Sequence, residues 1–313
     1  MRVLVIGGTR FIGPHIIREL LAAGHQVVAL NRGRSPASLP PEVERITCDK
    51  AERDRFRAAL VDVKPDACID TCLQADDLEV ACEALSGRLR QFIHTGSTGV
   101  YTPMPRIPAR EDDPIRIVPG ITFEEKWAQD QVLLRWRDER DFPATIIRPT
   151  NVFGPGAVPL DLWGWRTPAF FQRVADSRPL TLPNDGRALI QPVDVEDLAS
   201  AYCLALATER STGQVYNISS ECALMHREYL AVIMELLASK SEVDYLPMGE
   251  LVERYSDKVD VSALRFHCEH MLVCITKASA ELGYHPRIDV REGMRRSLRW
   301  MVQQGLLKTE APM

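Results

Sequence analysis

The 313-residue chain has no long apolar run: its longest unbroken stretch, Ala201–Ala207, falls far short of the ~18 residues a membrane span requires. Its eight cysteines include no Cys-x-x-Cys pair, and a chain of this length needs no disulfide staples, so the thiols read as mostly buried. A strong excess of either charge is lacking, with 38 basic against 43 acidic residues and a net charge of −5. No global attraction to nucleic acid or anionic membrane follows, and nucleic acid is not an expected partner. The opening apolar stretch Met1–Ile6 meets Gly7-Gly8 too early for a signal peptide, so a soluble cytoplasmic protein is expected. No metal is expected: His267-x-x-His270 beside Cys268 has no second cluster at zinc spacing and reads as a solvated loop or helix face. With 18 Gly and 21 Pro dispersed along the chain and no internal repeat, low-complexity and repeat architectures are excluded as well.

What is present is an ordinary globular composition, 45% apolar and 26% charged, in a length that suggests about two lobes. Over the first 150 residues short β-branched runs alternate with amphipathic stretches, the pattern of βαβ units. Strands are predicted at Val3–Ile6, Gln26–Leu30, Val43–Thr47, Ala67–Asp70, Gln91–Thr95 and Ala144–Arg148. Helices fit between them at Gly13–Ala23, Ala51–Leu60, Asp76–Leu85 and Thr122–Glu139. The reading is an α/β fold: a doubly wound parallel sheet over residues 1–150, with residues 151–313 a smaller C-terminal substrate lobe partly woven back into it. In that lobe helices are expected near Thr167–Asp176, Val195–Thr208, Arg227–Ala238 and Val290–Gln304.

The first strand runs directly into Gly7-Gly8-Thr9-Arg10-Phe11-Ile12-Gly13 and then a helix. Such a turn gathers backbone N–H groups and the positive end of a helix at one place, which suits a pyrophosphate. Here the chain resembles the extended short-chain dehydrogenases/reductases, whose Gly-x-x-Gly-x-x-Gly is matched at Gly7 and Gly13, with Arg10 in place of the middle glycine. The resemblance implies an NAD(P) coenzyme held by Gly7, Thr9, Arg10, Phe11, Ile12 and Gly13. At the end of the second strand, where an acid would accept from the ribose 2′-OH, stand Asn31, Arg32 and Arg34. Guanidinium groups there would welcome a 2′-phosphate, so NADP is favoured slightly over NAD. Asp49 matches a family position near the adenine.

The family places Ser or Thr three residues before a Val-Tyr pair, and Ser97 precedes Val100-Tyr101 in that way. It then uses Tyr-x-x-x-Lys, in which the lysine holds the nicotinamide ribose and the phenol exchanges the proton. Lys126 matches, but the tyrosine position is Thr122. An aliphatic hydroxyl ionises far above a phenol's ~10, so Thr122 cannot inherit the role of base. Thr122-x-x-Glu125 instead has the form of a capping box that would start the helix at Thr122. Tyr101, preferred to Glu124, is the expected proton acceptor.

Further resemblance runs through Asp66–Cys72, Ile147–Pro155, Pro192–Ala199, Lys277–Arg287 and Gly293–Trp300, and lies nearest the NAD-dependent epimerase/dehydratase branch, which also contains chloroplast stem-loop RNA-binding proteins. Family dehydratases place Asp-Glu after the catalytic Ser/Thr; Thr98-Gly99 here disfavours dehydration. Nucleotide-sugar enzymes tend to carry an arginine where Ile190 stands, with Arg187 three residues earlier. The implied function is NAD(P)-dependent, epimerase-like chemistry on a carbinol or ketone of a sugar or nucleotide-sugar-like substrate contacted by Ser97, Thr98, Asn151 and Arg187. The alternatives are an NADPH-dependent ketoreductase and a non-catalytic nucleotide- or RNA-binding scaffold. A homodimer through the helices at Asp76–Leu85 and Thr122–Glu139 is common in the family.

Overall fold

A computed structural model describes residues 1–34, 39–255 and 261–311. Its first half carries strands β1 (Arg2–Ile6), β2 (Gln26–Asn31), β3 (Glu44–Thr47), β4 (Ala67–Asp70), β5 (Gln91–Thr95) and β6 (Ala144–Pro149). Between them lie helices α1 (Ile12–Ala22), α2 (Arg53–Val63), α3 (Ala75–Leu85) and α4 (Glu124–Arg140). The second half adds β7 (Val152–Phe153), β8 (Leu180–Pro183), β9 (Leu189–Ile190), β10 (Val193–Asp194), β11 (Val215–Ile218), β12 (Leu224–Met225) and β13 (Val243–Leu246). Its helices are α5 (Pro168–Ala175), α6 (Val195–Ala207), α7 (His226–Leu236), α8 (Met248–Arg254), α9 (Val261–His267), α10 (Thr276–Leu282) and α11 (Val290–Gln303). The six predicted strands agree with β1–β6 to within a residue at each end.

The main sheet is parallel, in the order β11-β6-β5-β4-β1-β2-β3. A parallel sheet must be covered on both faces, and the strands show it by their two-residue period. Val3 and Val5 of β1, with Val27 and Ala29 of β2, join one core with Ile16, Leu20, Leu198 and Tyr202 from α1 and α6. Leu4, Ile6, Val28 and Leu30 face the opposite core with Phe56, Leu78 and Leu133 from α2, α3 and α4. The seventh strand, β11, comes from the second half and pairs with β6, a strand the apolar pattern of the sequence did not single out. A third core, including Trp163, Phe170, Phe171, Tyr229 and Met294, holds much of the second half of the chain together.

Two sequence expectations need correction. Only Cys48, Cys68 and Cys82 are buried; Cys72 and Cys222, in loops, are exposed, and the other three lie between. His267 is 4% exposed rather than on a solvated face, since α9 turns it into the third core.

Candidate active site

The loop joining β1 to α1 is shaped by what its glycines must avoid. Gly7 has φ +88, and a Cβ there would lie 2.4 Å from Thr71 Oγ1. A Cβ at Gly13 would lie 2.5 Å from the Gly8 backbone, so strand and helix can approach only if residue 13 has no side chain. Phe11, the residue before α1, has φ 43 and offers no side-chain cap, while Gly13 N–H donates to the Arg10 carbonyl at 3.0 Å and Pro14 has no N–H to satisfy. Its ring lies 5.7 Å from the Arg166 guanidinium, which donates to the carbonyls of Val152 and Val158 and so ties the loop to the second half of the chain.

Against this loop lies a cavity of about 560 Å³ at the C-terminal ends of the β1, β2 and β4 strands. Gly7, Thr9, Arg10, Phe11, Ile12, Asn31, Arg32 and Arg34, all read from the sequence as coenzyme contacts, line it, whereas Gly13, Asp49 and Lys126, read likewise, are not among its lining residues. Cys48, Lys50, Thr71 and Cys72 also line it and were not foreseen, since nothing local marks a residue that follows a strand by one to three positions. Asn31 Oδ1 accepts from Gly33 N–H at 2.8 Å, which turns the chain so that Arg32 and Arg34 follow at the rim. Asp49 pairs with Arg34 at 3.7 Å and accepts from Ala51 N–H, while its neighbours Cys48 and Lys50 line the cavity. The cavity's size, its glycine floor and its cationic rim fit a dinucleotide.

At the end of β5, Ser97 starts a single 3-10 turn, Thr98–Tyr101, its Oγ accepting from Gly99 N–H at 3.1 Å. Lys126, on the first turn of α4, donates from Nζ to the Thr95 carbonyl at 2.8 Å and to Gln129 Oε1 at 2.9 Å. Burial pulls its ammonium below the usual lysine range against the opposing charges of Asp70 and Asp130. Both carboxylates are fully buried. Asp70 faces His94 Nδ1 at 2.7 Å and accepts from the amides of Cys72 and Leu73. Burial would raise its pKa, but His94 and these amides reverse the effect and hold it below the usual range. Asp130 accepts from Arg148 Nε at 2.8 Å, and burial raises its pKa.

The residues read as proton acceptors are engaged elsewhere. Tyr101 is 1% exposed, donates to Asn217 Oδ1 at 3.0 Å and accepts from Arg148 Nη1. Burial pushes its phenol up to about 12 despite the nearby guanidinium. It thus sits in a frame that crosses from β6 to β11, where Arg148 and Asn217 are paired. Thr122 does not cap α4, and the box with Glu125 does not form: the residue before the helix is Phe123, and no side chain caps it. The Thr122 hydroxyl accepts from Val118 N–H at 2.9 Å and donates to the Thr102 carbonyl at 2.7 Å, closing a loop over residues 102–122. Glu124 opens α4 on its exposed side.

Of the substrate candidates, Thr98 is buried and donates to the Pro149 carbonyl, and Asn151 Nδ2 lies 3.8 Å from Met271 Sδ. Arg187 is not brought to Ser97: it pairs with Asp185 and lines a separate cavity of about 350 Å³ with His226, Cys268 and His270. Sequence reading missed the Phe123 ring, which covers Gly99 and stacks on Phe266 of α9 with centroids 4.3 Å apart. The available signal was Gly99 itself, where a Cβ would come within 2.7 Å of that ring.

Residues 3–79 and 75–219 match the model of the NAD dependent epimerase/dehydratase family. The chain is 28% identical over 328 residues to the chloroplast stem-loop binding protein of 41 kDa b of Arabidopsis thaliana, covering 99% of this chain and 82% of the relative. It is 30% identical over 231 residues to 2′-dehydrokanamycin reductase of Streptomyces kanamyceticus, covering 73% of this chain and 64% of the relative. Among solved structures, dTDP-glucose 4,6-dehydratase from Bacillus anthracis in complex with NAD superposes with TM-score 0.79 at 17% identity, covering 98% of each chain.

Proposed function

Because the chain belongs to the NAD-dependent epimerase/dehydratase family of extended short-chain dehydrogenases/reductases, we propose that it moves a hydride between NAD(P) and a carbinol or ketone carbon of a sugar or nucleotide-sugar-like substrate. The observation that carries this reading is the placement of two features on one sheet edge: the glycine-floored cavity beside β1, and Lys126 anchored to Thr95 with Ser97 two residues further on. When bound, a nicotinamide supplies or accepts the hydride. Gly7 and Gly13 let the backbone reach its pyrophosphate, Lys126 places the ribose, and the Ser97 hydroxyl donates to the reacting oxygen. Epimerisation would result when the substrate is oxidised and the ketone turns its opposite face to the same hydride before it is re-reduced.

Net reduction of a ketone by NADPH is the second reading, favoured by Arg10, Arg32 and Arg34 at the cavity and by similarity to 2′-dehydrokanamycin reductase. A homodimer through α3 and α4 belongs to either reading; Trp127, Ala128, Val132 and Leu134 form a shallow, largely apolar hollow there.

Calorimetry with both coenzymes, followed by incubation with nucleotide sugars and small ketones, tests the proposal. NADP should bind at least as tightly as NAD, with Arg32→Ala weakening NADP alone. Configuration change at one carbinol without coenzyme consumption supports epimerisation, and one NADPH consumed per ketone supports reduction. Failure to bind either coenzyme removes both.

A further inference from the structure

The position that a tyrosine fills in relatives is taken by a threonine whose hydroxyl is locked between a backbone amide and a backbone carbonyl. Something else must pass the proton. Tyr101 is sealed between Arg148 and Asn217, and Glu124 stands on the exposed first turn of α4. Ser97 has a hydroxyl free to donate a hydrogen bond, but an aliphatic alcohol does not ionise at working pH. We propose that Lys126 itself passes the proton to and from the substrate oxygen, acting as the acid–base residue as well as the ribose anchor. This rests on the hydride-transfer reading above.

The geometry supports it in two ways. An ammonium has three N–H donors, and the Thr95 carbonyl and Gln129 Oε1 take two, leaving one for the substrate oxygen, so that a ribose hydroxyl takes the place of Gln129 Oε1 when the coenzyme binds. The Thr95 anchor is two residues before Ser97, so ammonium and hydroxyl converge on the same strand end. The groups facing Nζ are Asp70 and Cys72 at the end of β4, Glu125 and Asp130 of α4, and His94 of β5 held by Asp70. Burial opposes the charged form more strongly than these carboxylates favour it, bringing the amine closer to the range in which it exchanges protons.

In reduction, the carbonyl carbon gains a hydride with its electron pair from NAD(P)H as the C=O π pair moves onto oxygen. Lys126 Nζ breaks one N–H bond to form the O–H bond, and the neutral amine regains a proton from solvent. One ketone, one hydride and one proton yield one carbinol. Oxidation runs the same steps backwards, with the neutral amine taking the hydroxyl proton.

The test combines a titration with an activity profile. NMR of the coenzyme-free protein labelled with carbon-13 lysine, assigned by Lys126→Arg, follows the Lys126 Cε signal against pH. Deuteride transfer from 4-deuterated NADPH to a panel of ketosugars and small ketones is measured alongside, with coenzyme affinity by calorimetry. Lys126 should titrate below the other lysines, and the reduction rate should fall as pH rises through that same value. Lys126→Met should lower turnover at saturating coenzyme by about 10²- to 10⁴-fold, and added primary amines should restore part of it in proportion to their basicity.

A Lys126 signal that titrates with the other lysines overturns the assignment. So does a Met variant that keeps the pH profile and loses only coenzyme affinity, which leaves Lys126 a ribose anchor. Coenzyme binding without deuterium transfer to any compound of the panel instead overturns the hydride-transfer reading, and this assignment with it.

Discussion

The two ends of the functional edge were built under different constraints. Around β1 and β2 the demands are steric: Gly7 and Gly13 are glycines because atoms of Thr71 and Gly8 occupy the space a Cβ would need. A demand of that kind is written into the residue type and survives translation from sequence to structure. Around β5 and α4 the demands are for polar partners, and the partners come from far along the chain. Tyr101 meets Asn217 at a separation of 116 residues, and Thr122 meets the Thr102 carbonyl across 20. A motif match there identifies a place in the fold without identifying what each hydroxyl does.

The sharpest way to break this contrast is to remove a carboxylate from the polar end. Asp130→Ala strips the partner from Arg148, a buried guanidinium only 2% exposed. Leaving one member of a buried pair uncompensated costs ~3–5 kcal/mol, so chemical denaturation should show a loss of that order. A loss below ~1 kcal/mol would mean that water reaches Arg148 and that the α4–β6 junction is looser than its geometry implies.

That experiment also marks what was legible in advance. The alternation of Val3, Val5 against Leu4, Ile6, repeated in β2, gave six strands and both covering layers, because a two-residue period follows directly from strand geometry. β11 was missed because Val215–Ile218 is only four residues long and includes Asn217, a poor strand former, so its strand character comes from pairing with β6. The coenzyme loop was read residue by residue, whereas Lys50, Thr71 and Cys72 line the same cavity only because the sheet brings three loops together. The expected cap at Thr122 failed for a related reason. Capping pattern and loop closure draw on the same hydroxyl, and the loop over residues 102–122 offered both an amide and a carbonyl.

The second half of the chain differs from the sheet in how it should respond to acid. It contains two buried histidines: burial pulls His226 down to about 4 and His267 to about 3, the latter lowered further by the neighbouring His226 and the Arg166 guanidinium. The unfolded chain binds these protons near the ordinary value of 6.5, while the folded chain resists them. Stability is therefore complete above pH 6.5 and declines as pH falls from 6.5 toward 4. The shift on His226 alone corresponds to roughly 2–3 kcal/mol across that window, at ~1.4 kcal/mol per unit. Denaturation midpoints measured from pH 7 to 4 should fall in wild type and fall less in His226→Leu, which keeps the volume and removes the titrating ring. Equal slopes for the two proteins would place the acid sensitivity elsewhere.

A smaller effect separates a hydroxyl that closes a loop from one that does chemistry. Thr122→Val keeps the shape but orphans the Val118 amide and the Thr102 carbonyl, at a cost of about 1–3 kcal/mol. Thr122→Ser should restore most of it. Thermal melts report the loss, and deuteride transfer should continue in both variants. A stable but inactive Thr122→Val protein would return the threonine to the chemistry and weaken the contrast between the two ends.

The smallest expected change in stability tests the coenzyme end on its own terms. Arg34 is 71% exposed on its side chain and lies 3.7 Å from Asp49, an ion pair whose worth at a surface is ~0–1 kcal/mol. Arg34→Ala should therefore leave the melting temperature nearly unchanged. Its position on the cavity rim, just after the turn that Asn31 closes with Gly33, gives it a different task from holding the fold. If a guanidinium there meets a 2′-phosphate, the substitution weakens NADP and leaves NAD alone, because only the first carries the extra dianion. Asp49→Asn should act in the opposite sense, releasing Arg34 from its partner and tightening NADP. Calorimetry of the two variants with both coenzymes decides the matter. Equal changes in NAD and NADP affinity would show that the rim arginine senses the cavity's general potential rather than the phosphate, and would leave coenzyme choice to Arg10 and Arg32.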